Sequence, residues 1–256
     1  MHTECPSLYP ESRSFPTRMR LLLFALVAFA ATGTAAQSQT EGQFLDISSG
    51  PLGPVLDGAV TELVTAPDGA VYAAGGNSIF LGGGYVARWT SSGWEQIAEH
   101  IPGQVRTFAF APDGDLYVAG NFDEIGGVEV NNIARWNGSS WWRLRGSAPG
   151  YIDALAIGPD ETIYAGGSFN FDSQAASVAA FRDNAWSPLE GLSGSTDALA
   201  VSEGGDLYAS GHLRLLSSNT YLNTYRWTGT EWMSVGEGLT SLSSPHVYDL
   251  VFAPDG

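Results

Sequence analysis

The chain has 256 residues, 44% hydrophobic and 12% aromatic, with 32 glycines and a formal charge of -16. So much aromatic surface argues against disorder. The lack of a Gly-X-Y period rules against collagen, and a charged fraction of 15% against a long coiled coil. Every base is an arginine, and the acid excess repels phosphate backbones, which argues against duplex DNA or RNA as a main partner.

The chain opens on an address. From Met19 a short basic start is followed by an apolar run, Leu21 to Ala31, and then by Thr-Gly-Thr-Ala-Ala before Gln37. That order predicts a secretory signal peptide cleaved after Ala36, with Thr34 and Ala36 at the two inspected small positions. Residues 1–18 read as sequence upstream of the true start at Met19, so 1–36 is expected to be absent from the exported chain. The apolar run is too short for a bilayer core of ~30 Å, which takes about 20 residues, and no later stretch is a candidate span. The expected location is secreted, extracellular or on the cell surface, with the periplasm as the alternative. Cleavage removes Cys5, the one cysteine, so an exported form must be held by its core without a disulfide. Arginine without lysine in an acidic chain suits a saline medium, and a GC-rich genome would produce the same bias.

The remainder, 37–256, is a repeat. Val60-Thr-Glu-Leu-Val-Thr-Ala-Pro-Asp-Gly69 aligns with Val105 to Gly114, Ile152 to Glu161, Thr196 to Gly205 and Val247 to Gly256, their ends 45, 47, 44 and 51 residues apart. Behind each of the first four comes a tyrosine (Tyr72, Tyr117, Tyr164, Tyr208) with a glycine three residues on. Next comes an aromatic (Trp89, Trp136, Phe181, Trp227), and five residues later a tryptophan (Trp94, Trp141, Trp186, Trp232). Four strands of about 5–6 residues with connections of ~4–6 fill such a period and leave no room for a helix. Segments such as Phe108-Ala-Phe-Ala111 are apolar on both faces, as in a sheet sandwiched between two others.

The expected fold is therefore all-β, a β-propeller of four-stranded antiparallel blades at about 60–98, 105–145, 152–190 and 196–236. Residues 247–256 open a fifth blade, and 43–48 supply an outer strand with no blade of its own. The reading is an incomplete ring, a piece of a longer protein with further blades and a sorting domain to follow. The aromatics are expected to pack blade on blade. Pro-Asp-Gly and Asn137-Gly-Ser-Ser mark tight hairpins on one face. The longer second-to-third connections, Gly76–Gly84, Asn121–Asn132, Ser168–Ser177 and His212–Asn223, gather on the opposite rim, where binding is expected.

The order Leu116-Tyr-Val-Ala-Gly120, Asn131-Asn-Ile-Ala-Arg-Trp136 and Trp141 resembles the kelch-like β-propeller repeats of exported bacterial proteins, and is similar to the cortical polarity-marker family of fungi. The third repeat departs from that pattern, with Phe181 for tryptophan and no Asn-Asn pair. Such propellers host binding modules and enzymes alike.

The first expectation is a non-catalytic binding or structural module that offers its rim to a protein or glycan. Candidate ligand-binding residues are Asn121, Asp123, Glu124, Glu129, Asp172, His212 and His246. No nucleophile elbow, zinc helix, phosphate loop or calcium loop is present, so no catalytic residue, cofactor or metal is assigned. The alternative is a propeller-based hydrolase or lyase using rim carboxylates held ~5–9 Å apart, with Glu99 and Glu237 further candidates. His100, His212 and His246 are read as solvated rim residues, and the glycosylation sequon at Asn137 as a turn.

Overall fold

A computed structural model describes residues 60–76, 83–146, 148, 150–171, 174–236 and 247–252. The chain divides into Met1–Thr32 and Gly33–Gly256, and every described residue lies in the second unit. The signal segment, the start at Met19, strand 43–48, Asp172, Glu237 and His246 lie outside the described residues.

Each repeat begins with a hairpin whose turn is dictated locally. Ala66 N–H donates to Ala70 O at 2.7 Å and Gly69 N–H to Ala66 O at 2.9 Å, while the Asp68 carboxylate accepts the Ala70 amide at 2.9 Å. The last loop residue must be left-handed: Gly69, Gly114 and Gly205 have φ of 84°, 90° and 88°, and Glu161 takes 63° in the third repeat.

These hairpins seed four four-stranded antiparallel sheets. The first holds β1 (Val60–Thr65), β2 (Val71–Gly75), β3 (Gly84–Thr90) and β4 (Gly93–Ile101). The second holds β5 (Gly103–Phe110), β6 (Leu116–Phe122), β9 (Ile133–Trp136) and β10 (Trp141–Arg143). Between β6 and β9 lies a separate two-stranded ribbon, β7 (Glu124–Ile125) and β8 (Val128–Glu129). The third holds β11 (Ile152–Ile157), β12 (Ile163–Phe171), β13 (Gln174–Arg182) and β14 (Ala185–Pro188). The fourth holds β15 (Leu192–Val201), β16 (Leu207–Leu215), β17 (Thr220–Trp227) and β18 (Trp232–Ser234). Buried side chains form three clusters, each lying between adjacent sheets. Sheets buried on both faces and stacked in sequence order make this a β-propeller.

The aromatic landmarks pair across β3–β4 and its equivalents. Trp89–Trp94, Trp136–Trp141, Phe181–Trp186 and Trp227–Trp232 are in register, with ring centroids 5.1–5.3 Å apart. The outer tryptophans also bridge sheets: Trp141 Nε1 donates to Ile97 O at 3.0 Å and Trp232 Nε1 to Leu189 O at 3.3 Å. Trp186 Nε1, buried in the third sheet, makes no hydrogen bond.

On the innermost strands a β-bulge recurs at one place, at Thr61, Arg106, Asp153 and Asp197, where each ladder shifts register. It explains the glycine three residues after each tyrosine. A Cβ on Gly120 would run into the Gln104 carbonyl, and one on Gly211 into that of Ser195. Bulge residues also reach the next sheet: Thr61 Oγ1 donates to Val105 O at 3.2 Å, and Arg106 pairs with Asp153.

Residues 247–252 form no strand, yet they lie as an innermost element does. Phe252 packs on Tyr208 with centroids 5.2 Å apart, and Phe110, its repeat equivalent, packs on Tyr72 at 5.2 Å.

Candidate functional site

The rim differs from the sequence expectation in its construction. The connections at Ser168–Ser177 and His212–Asn223 are not irregular loops. In the third and fourth sheets the second and third strands run on as hairpin arms, pairing out to Phe171↔Gln174 and Leu215↔Thr220. In the second sheet the ladder stops at Ala119↔Ile133 and the ribbon β7–β8 takes over. Polar residues at these positions hid the strand continuation, because only one face of each arm is buried.

In the second and third sheets the root of the arm is fastened to the chain that opens the following sheet. Asn132 is 8% exposed, at φ 63°, and its side chain accepts the Phe122 amide at 3.2 Å and donates to Gly150 O at 3.1 Å. Ser177, at the same place in the third repeat, donates to Gly194 O at 2.9 Å. The departure from the Asn-Asn pattern thus keeps the bond and changes the donor.

Of the candidate residues, Asn121 sits in the ladder opposite Gln104, and Asp123 O accepts the Val130 amide at 2.8 Å. Glu124 and Glu129 face each other directly across the ribbon, on the side away from buried Ile125. Directly opposed residues of an antiparallel pair have Cβ atoms about 4.5–5.5 Å apart. The ribbon rests on Trp141 through Gly126, and between it and β4 opens a cleft of about 430 Å³ lined by Gln96, Ile97, Ala98, Glu99 and Gly126. His100 is exposed beside Glu99, with Nδ1 3.9 Å from its carboxylate, while His212 pairs with Ser195 in the fourth sheet. Among the described residues no group of three or more His, Cys, Asp or Glu could hold a metal ion.

The arm of the fourth sheet carries a different surface. Register places Ser193, Arg214 and Tyr221 side by side across three strands, with Ser195 and His212 paired one step along the same face. Leu192, Leu213 and Leu222 point to the other face, into the core. Tyr221 is 59% exposed; its ring lies 5.9 Å from that of His212, and the Arg214 guanidinium carbon lies 5.9 Å from its centroid. The aromatic platform of Tyr221 escaped the sequence reading, although alternation along Leu213 to Leu216 marks an arm with one wet face.

Five of the other described arginines are occupied. Arg88, Arg135, Arg182 and Arg226 each pair with an aspartate of their own sheet's first turn, and Arg106 pairs with Asp153. In the third repeat the arginine has moved two positions along its strand, keeps its face and still reaches Asp160 at 3.3 Å. Burial alone would raise the Asp160 carboxyl, but hydrogen bonds from the Thr162 hydroxyl and amide and the Arg182 charge hold it below its ordinary value. Among the described residues Arg143, Arg145 and Arg214 have no carboxylate partner.

One carboxylate is anomalous. Glu62 on β1 is largely buried, accepts the Phe108 amide at 3.2 Å, and its pKa is pushed from 4.5 up to about 7. Burial is the main cause and the Asp249 charge adds to it, against hydrogen bonds from Thr107 and Phe108.

No family model and no curated protein matches the chain. Among solved structures it is similar to a structural-genomics target named for gluconolactonase (19% identity, TM-score 0.44, covering 68% of this chain and 59% of that one). It is similar also to a gluconolactonase from Xanthomonas campestris (15%, 0.43, 69% and 62%). An extracellular domain from B. thetaiotaomicron gives 12% and 0.45, over 73% of this chain and 24% of that one. The chain spans less than two thirds of each, and the fold assignment rests on the ladders described above.

Proposed function

We propose that the protein is an exported, non-catalytic β-propeller module of the kelch-like kind that recognises glycan with the rim formed by its hairpin arms. The observation that carries this reading is Tyr221, a large aromatic ring displayed on an arm whose opposite face is locked into the core. An aromatic face with polar neighbours suits a sugar ring, which has an apolar face and a hydroxylated edge. The signal segment and the repeat order support export and kinship with exported propellers. A glycan array probed with the wild-type protein and Tyr221→Ala tests the reading. Retention of one or more saccharides by the wild type, weakened about tenfold or more by the substitution, is expected. Retention of none, or retention indifferent to Tyr221, would end it.

A second reading, a carbohydrate-active hydrolase or lyase, is favoured by the opposed Glu124 and Glu129 beside the cleft lined by Glu99. A glycosidase needs two carboxyl groups held about 5–9 Å apart, and cross-strand opposition roots these two side chains within that reach. Turnover of array-positive saccharides that Glu124→Gln and Glu129→Gln each abolish would select it over simple recognition.

A further inference from the structure

We infer that the wet face of the β16–β17 arm is a subsite for an acidic saccharide, a hexuronate. Its ring lies on Tyr221, and its carboxylate is taken by Arg214, with His212 and the Ser193 and Ser195 hydroxyls at its edges. The inference rests on the glycan reading above and adds the charge of the ligand.

Three observations meet at this face. The first is geometric. Cross-strand register fixes Ser193, Arg214 and Tyr221 in one row and Ser195 and His212 in the next, so the donors and the ring are pre-arranged by the ladder. Less side-chain freedom is then lost on binding than for groups on a loose loop.

The second is electrostatic. The protein carries a formal charge of -16, and Arg88, Arg106, Arg135, Arg182 and Arg226 are each matched by an aspartate. Arg143, Arg145 and Arg214 have no carboxylate partner among the described residues, and of the three Arg214 is the one held beside an aromatic ring, that of Tyr221. A guanidinium left with its planar fork of donors open, in an otherwise acidic surface, is complementary to a planar carboxylate that can accept two hydrogen bonds.

The third is the composition of the row. Hydroxyls and an imidazole flank the aromatic ring, and the rows Ser193–Arg214–Tyr221 and Ser195–His212 contain no acid. A neutral sugar would use the ring and the hydroxyls and leave the guanidinium unanswered. A peptide carboxylate would use the guanidinium and leave the ring without a flat apolar partner. A uronate carries both features within one ring.

The test uses the full chain and three probes, oligomers of galacturonate, glucuronate and mannuronate, each as the free acid and as the methyl ester. Esterification removes the charge and leaves the ring. Titration calorimetry is expected to show at least one free acid bound about tenfold more tightly than its ester, the difference expected of one charge-assisted contact. The preference should shrink as salt rises from about 0.05 to 0.5 M, because an exposed pair is screened. Arg214→Gln should bring acid and ester to equal affinity, whereas Tyr221→Ala should weaken both. Arg214→Lys should restore part of the preference, and unchanged thermal midpoints would show that the variants fold. Equal affinity for acid and ester in the wild type overturns the inference and leaves the rim reading standing. Array retention of neutral saccharides with no uronate bound does the same. A preference that survives Arg214→Gln places the site elsewhere and also overturns it.

Discussion

The arms of the second and fourth sheets start from the same place in the repeat and end in opposite chemistry. Their roots are alike: in each, a second-strand glycine faces the inner bulge so closely that no side chain fits. Beyond the root, the second sheet's arm turns into the ribbon β7–β8, leans on Trp141 and exposes opposed glutamates. The fourth sheet's arm continues its ladder straight and exposes Tyr221 with Arg214 and His212. The bulged, sandwiched base is constrained by its neighbours, and chemical variety begins where the neighbours end.

Substitution at the roots should have the largest effect. Gly120→Ala and Gly211→Ala each press a methyl into backbone, and each should cost about 3 kcal/mol or more in urea denaturation, with Gly211 the costlier because its φ of 150° also disfavours a side chain. A loss under about 1 kcal/mol at either position would show that the root is not closed to a side chain.

Asn132→Ala comes next. It leaves the Phe122 amide and the Gly150 carbonyl without their partner in a buried place, which should cost about 2–3 kcal/mol. Hydrogen exchange should quicken in β7–β8 and leave the fourth sheet's arm unaffected.

Glu62 probes the inner strands where the first sheet meets the second. Its folded pKa of about 7 lies above its ordinary 4.5, so the folded state holds the extra proton between these values. The contribution to stability is therefore full below about pH 4.5, falls as pH rises through 7, and levels off above. Glu62→Gln keeps an acceptor for the Phe108 amide, should flatten that slope, and should raise stability at pH 8 by about 1–2 kcal/mol after solvent screening. A pH profile identical to wild type would contradict the burial assigned to Glu62.

The smallest expected change is in the stability of Tyr221→Ala, within about 0.5 kcal/mol of wild type, because the ring is mostly in water. A larger loss in thermal denaturation would mean that the ring holds the arm together rather than displaying it.

Fold and site were legible to different depths. The spacing of Tyr72, Trp89 and Trp94 and of their repeats is enough for the four-stranded sheets, because each landmark is a buried or half-buried ring packed against another aromatic or the next sheet. The bulge at Thr61, Arg106, Asp153 and Asp197 is not legible, since a threonine, an arginine and two aspartates occupy it and only the facing glycine signals the crowding. The arms look like loops in the sequence because residues such as His212 and Arg214 are polar, and one wet face is enough to break an apolar run. Glu124 and Glu129 were chosen as rim acids, and their opposition across a ribbon came from the register. Glu62 was passed over because it stands among exposed neighbours in the sequence and is covered only by the next sheet.

The unanswered indole nitrogen of Trp186 has a mechanical meaning. Its counterparts Trp141 and Trp232 each stitch one outer strand to the sheet before it, and the stitch is missing where the third sheet meets the second. Under a pulling force or gentle heating the propeller should begin to unzip along that seam, with β14 peeling away first.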